Sequence, residues 1–263
     1  MSVPPVVAVV IPCRNDAPFL EECLAALAAQ TRPADRVIVV DNGSTDASAA
    51  VARRFGAEVC HEPAIGIWPA AARGYDEAIE PAGDRAPADI IARLDADSRP
   101  EPDWLSQVVR SFVADASLGV LTGSAEFYGG GPIVNYIGEK WYIGGLYTWV
   151  TPWLGHPPVF GSNFAMRRRV WLRLREVVDS TNPGIHDDLD LSIRLRPSDG
   201  VRYDPTLRMP VSARPLASPR ALWRRLRKVV PTFAVSWPEG AAWHRERPRP
   251  DEGDEPLYEL PGH

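Results

Sequence analysis

"IIARLDADSRPEPDWL" (residues 90–105) decides how this chain is read. A mostly apolar run, Ile90 to Leu94, passes straight into Asp95 and Asp97, with only Ala96 between them. Alternate residues of an extended backbone share a side, so the two carboxylates are expected to face the same way. Carboxylates that close repel unless something cationic sits between them, and a divalent metal is the usual solution. A bend of solvated acids would use the same residues.

Upstream of this stretch, strands and helices alternate. "VVAVVIP" (6–12) is a β-branched run ended by proline, as for a strand buried on both faces. Asp16 is placed to N-cap a helix with Pro18 in its first turn, and Leu20, Cys23, Leu24 and Leu27 then line one helix face. "RVIVV" (36–40) predicts a second strand, broken by the turn-rich "DNGSTD" (41–46), with Asp46 placed to cap the next helix. "AEVC" (57–60), "PAAARGYDEAI" (69–79) and "DIIARL" (89–94) predict strand, helix and strand. Strands separated by helical segments imply βαβ units and a mostly parallel, twisted sheet. Ligands bind such sheets outside the carboxyl ends of the strands. Arg14 and Asn15, Asp41 and Asn42, and Asp95 and Asp97 all fall at those ends, which marks one edge as a site.

The second half is less regular. Residues 128–168 are rich in glycine and aromatics, with Trp141, Trp149 and Trp153 close together, which suits a mobile loop and an apolar or sugar-stacking groove. "PRALWRRLRKVV" (219–230) predicts a basic helix that could lie on an anionic membrane surface or pack on the domain as a solvated helix. The stretch "RERPRPDEGDEP" (245–256) is expected to be disordered.

Bulk properties narrow the classes. With 263 residues the chain can bury a sizeable core as one large α/β domain. A net charge of -5 and the absence of a long basic run argue against a nucleic-acid partner. Cys13, Cys23 and Cys60 lack zinc-site or disulfide-framework spacing, so a reducing, cytoplasmic setting is expected. The first residues lack the basic region of a signal peptide, and no window reaches ~18 apolar residues, so no transmembrane helix is expected.

Four pieces in order, "VVIPCRND", "VVDNGSTD", "LDADSRPEPDWL" and "HDDLDLSIRL", resemble the inverting GT-A-fold glycosyltransferases of glycosyltransferase family 2. The resemblance covers most of residues 5–230 and implies an α/β, Rossmann-like, mostly parallel sheet flanked by helices. It implies one domain over 1–245, with a nucleotide-binding half (1–125), an acceptor-binding half (126–245) and a tail (246–263). Asp95 and Asp97 match the family's Asp-x-Asp motif. There the second acid ligates Mn²⁺ or Mg²⁺ and the first works through the ribose or water, while the cation stabilises charge on the leaving diphosphate. Pro12 and Arg14 match the strand end that contacts base and phosphates, Asp41 the acid that pairs with a base N–H, and Arg73 a less well aligned phosphate contact. Asp187 and Asp188 match the acidic pair at a helix start, whose second member is the catalytic base, although Asp187 replaces a glutamate and leaves their roles exchangeable. Gly161, Ser162 and Asn163 match the segment lining the sugar and acceptor. His244 is a further candidate metal ligand.

The implied activity is metal-dependent, inverting transfer of a sugar from a UDP-, GDP- or dTDP-sugar to an acceptor hydroxyl, with a lipid-linked or small-molecule acceptor and peripheral membrane contact through 219–230 as options. A sugar-phosphate nucleotidyltransferase would need a glycine-rich loop after the first strand, and "IPCRNDAPF" has no glycine. A phosphatase of the haloacid-dehalogenase type would need Thr or Val just after the second acid, where Ser98 stands. A non-catalytic nucleotide or sugar binder would have no need of Asp95, Asp97 and Asp188 together.

Overall fold

The structure is a computed structural model that describes residues 4–139, 144–182, 184–216 and 227–240. Its centre is β1 (Val7–Cys13), buried along its whole length. β2 (Arg36–Asp41) and β3 (Glu58–His61) extend the sheet in parallel on one side, and β4 (Ile90–Arg93) pairs in parallel on the other. β6 (Phe164–Arg167) runs antiparallel to both β4 and β5 (Val120–Tyr128), and β7 (Val201–Ser212) closes the sheet parallel to β5. The seven-stranded order is β3-β2-β1-β4-β6-β5-β7.

Alternation along β1 builds two cores. Val7, Val9 and Ile11 join Leu20, Cys23, Leu24 and Leu27 of α1 (Ala17–Ala28), with Leu105, Val108 and Phe112 of α4 (Trp104–Ala114). Ala8 and Val10 point the other way, to Trp68, Ala71 and Tyr75 of α3 (Ile67–Ile79). Helix α3 lies so close to the sheet that a Cβ on Gly74 would fall 2.3 Å from Val10 Cγ1 and 2.8 Å from Val40 Cγ2. Among the described residues the remaining α-helices are α2 (Ser48–Arg54), α5 (Gly131–Ile137), α6 (Thr151–Leu154), α7 (Arg168–Leu174), α8 (Asp187–Arg194) and α9 (Val229–Gly240).

Several local expectations change. Pro12 does not end its strand: β1 runs on to Cys13, which sits beside Asp41 in the parallel register. β4 stops at Arg93, and the chain then turns, Ser98 N–H donating to Asp95 O at 3.0 Å, so Asp95 and Asp97 do not share one side of an extended strand. Asp16 occupies the N-cap position of α1 but makes no capping bond; its carboxylate is taken by Arg214, and Asp46 accepts from the Ala17 N–H instead. Asp46 also accepts from the Ser48 N–H at the start of α2, so one carboxylate fastens two helix starts. Within the glycine- and aromatic-rich stretch, residues 131–139 and 144–154 are helical and 155–163 lead irregularly into β6, while Trp149 and Trp153 are 75% and 61% exposed.

Most of the predicted basic helix at 219–230 lies outside the described residues, as do Trp141, His244 and the tail. Among the described residues no helix is long and apolar enough to cross a membrane.

Candidate functional site

The antiparallel register pairs Arg93 with Phe164, and continuing it beyond the strand ends sets Ser162 opposite Asp95. Ser162 Oγ accordingly donates to Asp95 Oδ2 at 2.5 Å. The other oxygen, Asp95 Oδ1, accepts from Arg93 Nη2 at 3.2 Å. Arg93 is 1% exposed in a strand otherwise made of apolar residues. Its Nη1 donates to Asp187 Oδ2 at 2.5 Å and to Tyr75 Oη at 3.4 Å. A single buried guanidinium therefore joins the end of β4 to the start of α8.

Asp187 and Asp188 open α8, where the helix N-terminus favours negative charge. Burial alone would raise the Asp187 carboxyl, but Arg93 and then His186 outweigh it and hold the group far below the usual carboxylate range. Asp188 faces His186 Nδ1 at 2.6 Å in an ion-pair contact, and its Oδ2 accepts from the Gly161 N–H at 3.3 Å. The Asp188 charge pushes His186 up to about 11 against the opposing effect of burial, so the ring is cationic at neutral pH. Behind this face, Asp190 is wholly buried and accepts from Trp68 Nε1, Arg194 Nε and Ser236 Oγ. Thr232 Oγ1 accepts from the His186 N–H at 2.8 Å, so α9 braces α8 at its N-cap and, through Ser236, at Asp190 in its middle.

These groups face a cleft of about 220 Å³ lined by Arg93, Asp95, Gly161, Ser162, His186, Asp187, Asp188 and Lys228, with Ile67, Phe160 and Ile185 as its apolar wall. Asp97 is not among the residues that line the cleft and sits in the turn after β4. Tyr128 Oη donates to its carbonyl at 2.9 Å, and Arg99 N–H donates to Pro210 O, which fastens the turn to β7. Just past β7, Arg214 donates through both terminal nitrogens to Asp16 at 2.8 and 2.7 Å, and through Nη2 to Asp97 Oδ2 at 3.2 Å. Burial, and then the charge of Asp95, push Asp97 up to about 6 in spite of Arg214.

The predicted residues thus divide. Asp95, Gly161, Ser162, Asp187 and Asp188 meet in the cleft. Pro12, Arg14 and Asp41 stand together at the ends of β1 and β2, with Asp41 Oδ1 accepting from the Ser44 N–H in a turn. Asn163 is not brought to the cleft: its amide donates to Ser124 O and Leu207 O, and its oxygen accepts from Trp104 Nε1 in the core. Arg73 is exposed on α3, paired with Glu77. Arg93, His186, Asp190, Arg214 and Lys228 were missed. A lone arginine inside an apolar strand is the signal that could have found Arg93, since a charge is buried only when matched.

His186, Asp187 and Asp188 also place three ligand-capable atoms within 4.8 Å of one another. Their charges are already matched by Arg93 and by one another.

The model of the family described as "Glycosyl transferase family 2" matches residues 8–174. Glycosyltransferase AglE of Haloferax volcanii is 31% identical over 131 residues, 47% of this chain and 40% of that protein. An uncharacterised glycosyltransferase of Mycobacterium tuberculosis is 38% identical over 112 residues, 43% of this chain and 46% of that protein. The matches thus span less than half the length of these curated relatives. Among solved structures, glucosyl-3-phosphoglycerate synthase of Mycobacterium tuberculosis with Mn²⁺, UDP and phosphoglyceric acid superposes with a TM-score of 0.64 at 21% identity, over 88% of this chain and 78% of that one. A mannosyltransferase of Pyrobaculum calidifontis with GDP-mannose and Mn²⁺ gives 0.63 at 22% identity, over 92% and 66%. The mostly parallel seven-stranded sheet flanked by helices is the GT-A fold of these neighbours. With the family model matching more than half of its residues, the chain belongs to glycosyl transferase family 2.

Proposed function

We propose that the chain transfers a hexosyl group from a UDP-, GDP- or dTDP-sugar to an acceptor hydroxyl, with inversion at the anomeric carbon. The observation that carries this reading is the buried Arg93 bridge, which fixes the acid of the nucleotide-side turn and the acid-bearing helix start on one cleft. Residues 1–125 supply the nucleotide side and 126–245 the acceptor side. Asp41 accepts from a base N–H, Pro12 and Arg14 flank base and phosphates, and Gly161 and Ser162 line the sugar.

A divalent cation fits the donor set at Asp97. This carboxylate is largely buried beside Asp95 and pushed up to about 6, so it is short of positive charge even with Arg214 in contact. Both oxygens of Asp95 are already engaged by Arg93 and Ser162, which leaves Asp97 as the direct ligand. When bound, Mn²⁺ or Mg²⁺ would neutralise charge on the departing diphosphate.

Asp188 is the base in this reading. His186 is cationic and cannot accept a proton at neutral pH, and Asp187 is committed to Arg93. Asp188 takes the proton of the acceptor hydroxyl, whose oxygen forms a bond to the anomeric carbon as the bond to the diphosphate oxygen breaks. The diphosphate leaves with that electron pair, and no covalent nucleophile is required.

Titration calorimetry of UDP, GDP and dTDP, with and without Mn²⁺, on wild type and Asp97→Ala tests the reading. Metal-dependent binding of a nucleotide, lost in the variant, supports it. Nucleotide binding indifferent to both Mn²⁺ and Asp97 would leave a binding protein without the metal step.

A further inference from the structure

Arg214 is held more firmly than a surface arginine needs to be. Its guanidinium forms a two-pronged contact with Asp16 at the start of α1 and reaches Asp97 in the turn after β4. Its plane lies over the Phe19 ring, 3.7 Å from the centroid. Asp16 and Phe19, both at the start of α1, thus fix one cation against the carboxylate that would bind the metal. The contacts also follow from the fold, because Ser98 bridges to Val211 and the Ala213 N–H donates to Tyr128 O, which brings the end of β7 over the Asp97 turn.

From this geometry we infer that Arg214 makes metal and diphosphate binding interdependent: it opposes a divalent cation arriving alone and favours one arriving with a diphosphate. The inference rests on the function proposed above. A guanidinium on Asp97 Oδ2 and a dication on the same carboxylate repel at short range in a partly buried site. Asp16 limits the escape of Arg214, because both terminal nitrogens are anchored there. A diphosphate reverses the sign of the interaction. Its oxygens accept from the planar fork of an arginine and ligate the metal at once, so the two cations become joint partners of one anion. Binding free energies are reciprocal, so the nucleotide tightens the metal by the factor with which the metal tightens the nucleotide.

The test measures Mn²⁺ binding from the electron paramagnetic resonance signal of the free ion, alone and with UDP, GDP or dTDP. It compares wild type, Arg214→Gln and Arg214→Lys, each checked for folding by thermal melting. Arg214→Gln is expected to bind Mn²⁺ alone about tenfold more tightly while losing about tenfold of the enhancement that the nucleotide gives wild type. Arg214→Lys, which keeps the charge, is expected to bind Mn²⁺ alone as weakly as wild type. If folded Arg214→Gln binds Mn²⁺ alone no better than wild type, Arg214 only braces the turn and the inference is overturned. If wild type fails to bind Mn²⁺ in the presence of any of the three nucleotides, the metal-dependent reading fails and takes this inference with it; wild-type binding with an unaltered enhancement in Arg214→Gln overturns the inference alone.

Discussion

Arg93 Nη1 lies 2.5 Å from Asp187 Oδ2, and the two side chains are 2% and 5% exposed. A pair this deep is costly to form, yet removing one partner is worse, because the other charge stays buried and unmatched. Arg93→Met leaves the buried Asp187 without its arginine and Asp95 with Ser162 alone, and is expected to cost about 3–5 kcal/mol of unfolding free energy in urea. Arg93→Met combined with Asp187→Leu should recover much of that loss without restoring transfer. Recovery of neither stability nor fold in the double variant would mean that the pair specifies the packing of α8 and does more than balance charge.

The parallel half of the fold was legible because each β-branched run is short, punctuated and followed by a helix-period face, as with Val7–Cys13 and Leu20–Leu27. The residues at strand ends were legible for the same reason, since a parallel sheet delivers its loops to one edge. What pattern could not give was side-chain partnership across long separations. Asp16 reads as a helix cap from its neighbours, and only the path of β7 brings Arg214, 198 residues later, to claim it. Asn163 reads as a site residue from its motif, yet an amide whose donors and acceptor are all met by backbone and Trp104 belongs to the core. Arg93 sits in an apolar run, and its role depends on a partner 94 residues away.

His186 predicts a pH signature. Asp188 raises it from an ordinary 6.5 to about 11 in the folded chain, so it binds its proton more tightly folded than unfolded. Its stabilising contribution is complete below about pH 6.5 and is lost as pH rises toward 11, at no more than ~1.4 kcal/mol per pH unit. In denaturant titrations from pH 6 to 10, wild type should lose stability relative to His186→Gln. Parallel pH profiles would show that the ion pair with Asp188 does not persist in solution.

Gly74 tests the contact of α3 with the sheet. Alanine is the better helix former by about 1 kcal/mol, so an exposed glycine here would be improved by the change. The Cβ instead meets Val10 and Val40 inside contact distance, and Gly74→Ala is expected to cost about 1–3 kcal/mol in chemical unfolding. A stabilised variant would mean that α3 can move off the sheet without loss.

Asp188→Asn separates catalysis from binding. Asparagine keeps the size of the side chain and can still face His186 and Gly161, but it cannot take a proton from an acceptor hydroxyl. Turnover should fall by ~10²–10⁴-fold while nucleotide affinity in the presence of Mn²⁺ stays within about twofold. Asp187→Asn should behave differently, lowering stability through the unmatched Arg93 and affecting turnover through the altered position of α8. Unchanged turnover in folded Asp188→Asn would remove Asp188 as the base and pass the role to His186, whose proton is held chiefly by the Asp188 charge that this variant removes.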